Sequence, residues 1–158
     1  SEAVNTSVAD IAKNIPPFPY VRESLEQLRL RADVFVVSQT PTEALLREWQ
    51  EHRIDGFAEY LAGQELGTKT EHIRYAADGK YGPARMLMIG DAPGDLKAAR
   101  ANQALFYPIV PGREEQSWQR FYEEAMDRFF AVRYAGSYEE ELIAEFDRHL
   151  PAVPPWKK

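Results

Sequence analysis

The sequence predicts an α/β fold: a parallel sheet with helices packed on both faces. Three observations carry this. Val34-Phe35-Val36-Val37, Met86-Leu87-Met88-Ile89 and the run Ala104–Ile109 are apolar at nearly every position, the pattern of strands covered on both sides. A helix-opening signature, Thr40-Pro41-Thr42-Glu43, follows the first run, and a helix from about Gly94 to Asn102 follows the second. Strands that alternate with helices in this way build βα units and a parallel sheet.

Taken in order, Val4, Val8, Ile11 and Ile15 fall at spacings of three and four, the stripe of a short amphipathic helix. Ile15-Pro16-Pro17-Phe18-Pro19 is a stiff extended linker, because proline cannot continue a helix and restrains the residue before it. Val21, Leu25 and Leu28 stripe a second helix that ends before Asp33. The strand Val34–Val37 stops at Ser38. Thr40 then suits an N-cap, Pro41 the first helical position and Glu43 the capping-box position, with Leu45, Leu46 and Trp49 continuing the helix.

Glu59–Ala62 reads as a short strand closed by Gly63, and Thr68-Lys69-Thr70-Glu71 opens a helix through about Ala77. Turn formers crowd Asp78–Pro83. Beyond Gly112, Trp118, Phe121, Tyr122, Ala125 and Phe129 stripe one helix; Tyr138, Leu142, Ile143, Phe146 and Leu150 stripe another, which Ser137 and Glu140 can cap. The tail Pro151–Lys158 is proline-rich. The expected division is 1–15, 16–112 and 113–158: a leading helix, an α/β core, and a C-terminal helical extension with its tail.

A chain of 158 residues has room for one domain with a real core. Its formal charge of −6 argues against nucleic acid or an anionic membrane as partner. With no cysteine, disulfides and thiolate metal sites are excluded. No apolar run reaches membrane-spanning length, and the first residues lack the basic and apolar regions of a signal peptide. The expectation is a cytoplasmic protein.

Candidate chemistry sits just after the strands. Ligands of open parallel sheets bind at the carboxyl ends of the strands, and Ser38 and Asp91 both occupy such positions. Asp91 and Asp95 are hard oxygen donors on one short loop and suit magnesium. Taken alone, Asp91 equally begins a turn and Asp95 caps the next helix. A hydroxyl before a helix N-terminus, as at Ser38, grips phosphate, though it also reads as an ordinary cap. Lys69 falls in the first turn of its expected helix, where the dipole disfavours a cation unless an anion is near. His52, His72 and His149 share no ligand spacing, so no zinc site is expected.

In order, the strand ending at Ser38, the helix-start Lys69 and the segment Met86–Ala99 with Gly90-Asp91-Ala92-Pro93-Gly94-Asp95 resemble the haloacid dehalogenase superfamily of phosphohydrolases over roughly Pro17–Pro111. The serine matches the family's second motif, Lys69 its third and Asp91 with Asp95 its fourth. The resemblance implies a Rossmann-like core and magnesium-dependent phosphoryl transfer from a phosphorylated small molecule to water by way of an aspartyl phosphate. By that match Asp91 is a direct magnesium ligand and Asp95 a second or water-mediated one, while Ser38 and Lys69 contact the phosphate.

The family's first motif, Asp-x-Asp on the first strand, has no match. Only Asp10 and Asp33 precede Ser38, and neither follows a run that reads as a buried strand or has an aspartate two residues on. The opening helix and proline linker resemble the closing end of a family cap insertion. The chain is therefore expected to be the C-terminal portion of a longer protein, with the first strand missing from the middle of the sheet. Two expectations follow: the isolated chain lacks phosphatase activity, and a missing N-terminal fragment or a second chain fills the vacant position. The alternative is a non-catalytic binding module that keeps the fold without the nucleophile. A phosphoacceptor regulatory domain is the weaker third reading, because its acceptor aspartate is also expected near the N-terminus.

Overall fold

A computed structural model describes residues 7–9, 18–37, 42–51, 53, 56, 60–62 and 84–150. In chain order the elements are β1 (Ser7–Ala9), α1 (Val21–Arg31), β2 (Asp33–Val37), α2 (Thr42–Glu51), β3 (Tyr60–Ala62), β4 (Met86–Gly90), α3 (Pro93–Ala101) and β5 (Leu105–Pro108). They are followed by α4 (Glu114–Arg120), which runs through a π-helical turn (Phe121–Ala125) into α5 (Met126–Phe130), and by α6 (Ser137–His149). The strands form one sheet in the order β3-β2-β1-β4-β5, every pair parallel. This is the mixed α/β architecture that the apolar runs predict.

The first strand corrects the sequence reading. Ser7–Ala9 is a strand, not part of a helix, and it lies at the centre of the sheet. Ser7 pairs with Asp33 of β2 on one side, and Ser7, Val8 and Ala9 pair with Met86, Leu87 and Met88 of β4 on the other. The spacing of Val4, Val8, Ile11 and Ile15 is helical, but a short isolated helix carries the full cost of nucleation. A strand in this slot instead meets ladder partners on both sides, and such tertiary pairing overrides local preference. The position expected to be vacant is filled by this chain.

Alternation along the strands builds two cores. Leu87 and Ile89 of β4, Tyr107 of β5 and Val34 and Val36 of β2 pack with Leu25 and Leu28 of α1 and with Trp118, Phe121, Met126 and Phe129 of the α4–α5 segment. Met88 and Phe106 point to the opposite face, where Ala98 and Ala99 of α3 meet Ile143 and Phe146 of α6. The segment after residue 112 contributes to both cores: α4–α5 covers one face, and α6 sends Leu142 to the first core and Ile143 with Phe146 to the second. The π-helical turn keeps Phe121 and Ala125 inside that layer. An ion pair between Arg120 and Glu145, 2.9 Å apart, joins the π-turn side to α6; the arginine beside it holds the Glu145 carboxyl below the usual range.

The C-terminal segment also closes the β5 edge, which otherwise offers unpaired backbone groups to any passing strand. The Phe106 C=O accepts from the Tyr134 hydroxyl at 2.7 Å, and the Phe106 N–H donates to Glu139 Oε2 at 2.7 Å. Pro108, two residues on and facing the same way, has no N–H to expose. Ser137, expected as a helix cap, is instead the first residue of α6. The cap position is Gly136, at φ +95°, and no side chain caps it.

Glu139 is half-buried, and loss of water raises its carboxyl above the usual value. A group whose folded value is raised contributes stability at low pH and loses it as pH rises through that value. Glu139→Gln keeps an oxygen for the Phe106 N–H without the buried charge. The expected result is a variant more stable than the parent at pH 7 and equal to it near pH 4, read from paired denaturation curves. A variant less stable at pH 7 contradicts this.

Candidate functional site

The strand order reverses between β1 and β4: the chain builds outward through β2 and β3, then returns to the other side of β1. At such a switch point the connections diverge to opposite sides of the sheet, and a crevice opens beyond the carboxyl ends of the two strands. β4 ends there at Gly90 and passes into Asp91. β1 ends there at Ala9, whose successor in the chain is Asp10.

The loop after β4 is built around Asp95. Its carboxylate is buried, 1% exposed, and Oδ2 accepts from the backbone N–H of Asp91 and of Ala92, each at 3.0 Å. Asp95 is the third residue of α3, so it satisfies donors at the helix start and adds a negative charge where the dipole welcomes one. Pro93 at the first helical position lacks an N–H that would have gone unpaired there. Gly90 makes the room: a Cβ on it would lie 2.5 Å from Asp95 Cβ and 2.6 Å from Asp95 Oδ2. In sequence, Gly90 reads as a place where a ligand approaches the backbone. What approaches it is the Asp95 side chain.

Of the predicted site residues, Asp91 and Asp95 are described and share this loop, with Asp91 half-buried at the rim. Ser38, Lys69, the helix expected from Thr68 to about Ala77 and the tail Pro151–Lys158 lie outside the described residues. Ser38 follows Val37, the last residue of β2, in the chain. Among the described residues no group of three or more His, Asp or Glu side chains gathers in a metal-holding arrangement. The pair on the β4 loop offers hard oxygen donors of the kind a small cation takes, and Asp95 Oδ2 already accepts two N–H groups. Asp10 lies outside the described residues; in the chain it follows β1, a strand that the sequence reading missed because it spans only three residues and its neighbours mimic a helix.

A separate cavity of about 370 Å³ lies beside the amino end of β5, lined by Arg100, Glu139, Glu140 and Asp147 among others. It is at the opposite end of β5 from the switch-point rim. Among the described residues no helix is long and apolar enough to cross a membrane.

The class that fold and site define is an open parallel α/β sheet with acidic residues following its strands at the switch point. The particular comparison agrees in fold: the chain is similar to the NMR structure of the core domain of a candidate phosphoglycolate phosphatase from Streptococcus pneumoniae TIGR4. The TM-score is 0.55 and the identity 14%, over 68% of this chain and 80% of that one. No protein-family model and no curated protein matches the chain.

Proposed function

We propose that this chain is a magnesium-dependent phosphohydrolase in which a carboxylate takes a phosphoryl group and water releases it. One observation carries the reading. Val8 and Ala9 of β1 pair with Leu87 and Met88 of β4 across the switch point, and aspartates follow both strands in the chain, Asp10 after Ala9 and Asp91 after Gly90. The solved core domain similar in fold supports a phosphatase class, as does the motif order Ser38, Lys69, Asp91. The expectation of an inactive chain rested on the missing Asp-x-Asp; β1 puts a central strand before Asp10 in the chain, while the second aspartate still has no match at Ala12.

In this reading Asp10 is the nucleophile. Its carboxylate oxygen bonds to phosphorus as the leaving-group oxygen departs with the electron pair; water then attacks the acyl phosphate, releases inorganic phosphate and restores the carboxylate. The Ser38 hydroxyl and the Lys69 ammonium hold phosphate oxygens, and Asp91 holds the cation. Magnesium, when bound there, supplies neutralisation of charge on the transferring group. Positioning and charge neutralisation are most of what phosphoryl transfer asks of a protein.

Two residues after Asp10 stands Ala12, where the family resemblance places a second aspartate as acid and base. Without it, leaving groups that depart unprotonated are favoured. Homogeneous protein with magnesium is expected to release phosphate from p-nitrophenyl phosphate, and EDTA to stop it. Alkyl phosphates should turn over more slowly by about 10²–10⁴-fold, the usual contribution of a general acid. No magnesium-dependent release from the aryl ester overturns the assignment, and equal rates on both classes overturn the role given to Ala12.

A further inference from the structure

We propose that the cavity at the amino end of β5 is a binding site for a free basic amino acid of the lysine type: one carboxylate and two ammonium groups on a short methylene chain. The site lies away from the switch-point rim and does not depend on the phosphoryl-transfer reading.

The lining matches such a ligand charge for charge. The cavity, about 370 Å³ and so of a size for a small molecule, lies between the last turn of α3, which brings Arg100, and one face of α6. That face brings Glu139, Glu140, Ile143 and Asp147, residues three and four apart that share one side of a helix. Glu139 is already engaged, since its Oε2 accepts from the Phe106 N–H at 2.7 Å. One cation and two carboxylates are left: Arg100, Glu140 and Asp147. All three are exposed. Among the described residues no side-chain hydrogen bond or ion pair ties any of them to another, so their charges face the same space without closing it. Ile143 and Ala104, at the edge of the second core, offer an apolar floor for methylene groups.

The order of the groups follows from the helix. Loss of water raises the Glu139 carboxyl, and the Phe106 N–H and the Arg100 charge pull the other way. Arg100 thus lies within electrostatic reach of the first turn of α6, where Glu140 stands. Asp147 is seven residues further on, about 10 Å along the axis. The ligand's α-carboxylate therefore meets Arg100, its α-ammonium Glu140 and its side-chain ammonium Asp147. A compact metal ion needs ligands that converge, and among the described residues no group of three or more His, Asp or Glu side chains does so.

The test is calorimetric titration of the full chain with three ligands. L-lysine carries all three charges, norleucine lacks the side-chain ammonium, and 1,5-diaminopentane lacks the carboxylate. Lysine should bind at one site, and each of the others about 5-fold more weakly, the upper range for one exposed ion pair. Arg100→Gln should erase the preference for lysine over 1,5-diaminopentane. Asp147→Asn should erase the preference over norleucine, and Glu140→Gln should weaken lysine and norleucine alike. Glu141→Gln, on the same helix but outside the lining, should change nothing. Amide shifts on adding lysine should centre on Ala104, Phe106 and Ile143. All four substituted side chains are exposed, so the variants should fold as the parent does.

A lysine Kd above about 10 mM overturns the proposal, as do equal affinities for the three ligands. If Glu141→Gln weakens lysine as much as Asp147→Asn does, the attraction is a diffuse one to an acidic surface, and the proposal fails.

Discussion

Asp10→Asn is expected to lose phosphatase turnover by about 10³-fold or more, as removal of an attacking group does elsewhere, with the fold intact by circular dichroism and thermal midpoint. The reason lies in the sheet order. β1 and β4 are the strands on either side of the point where the connection reverses, so residues that follow them in the chain are the ones best placed to act on a shared ligand. An amide in place of the carboxylate has almost the same size but no anionic oxygen to attack phosphorus. A structural role for Asp10 would move the thermal midpoint and spare the rate; the nucleophile assignment requires the reverse. Asp33 serves as the control. It precedes the buried run of β2 and pairs with Ser7 at the amino end of the sheet, so Asp33→Asn should leave turnover near that of the parent.

Gly90→Ala is expected to destabilise the protein by about 2–3 kcal/mol, the usual cost of forcing a methyl into filled space. For a chain of this size that corresponds to a fall of roughly 5–10 °C in Tm. A Cβ there would lie 2.5 Å from Asp95 Cβ and 2.7 Å from its Cγ, closer than carbon atoms approach, and the atoms met are a buried carboxylate held by two hydrogen bonds. The collision has no soft end. Gly94 is the matched control: it lies in the first turn of α3 with nothing within 4 Å of an added Cβ. Gly94→Ala should stabilise by about 0.5 kcal/mol, because alanine loses less backbone freedom than glycine on entering a helix. Equal effects at the two positions would contradict the loop geometry.

How much could be read from residues alone depended on length and burial. β2 and β4 were legible because Val34–Val37 and Met86–Ile89 are apolar at every position, which only a doubly covered strand demands. β1 was not: it spans three residues, its flanking valines and isoleucines keep helical spacing, and what makes it a strand is the pair of ladders on either side. The layer after residue 112 was legible as two aromatic helices, yet nothing local tells an appendage from a cover. That distinction appears only when Trp118 and Phe121 pack on Leu87 and Ile89.

The site divides in the same way. Asp91 and Asp95 were recognised from their loop, but the burial of the Asp95 carboxylate and the two backbone N–H groups it accepts were not, since they depend on how the strand end packs. Asp10 was set aside for want of a strand before it and of an aspartate two residues on; the three residues of β1 meet the first objection only.

The most direct test is to trap the covalent intermediate. Protein mixed with p-nitrophenyl phosphate and magnesium is quenched in acid, reduced with borohydride to convert an acyl-phosphate aspartate to homoserine, and mapped by peptide mass spectrometry. The account predicts homoserine at position 10 in the parent and none in Asp10→Asn. Turnover with no conversion at position 10, or with conversion at another aspartate, would contradict it.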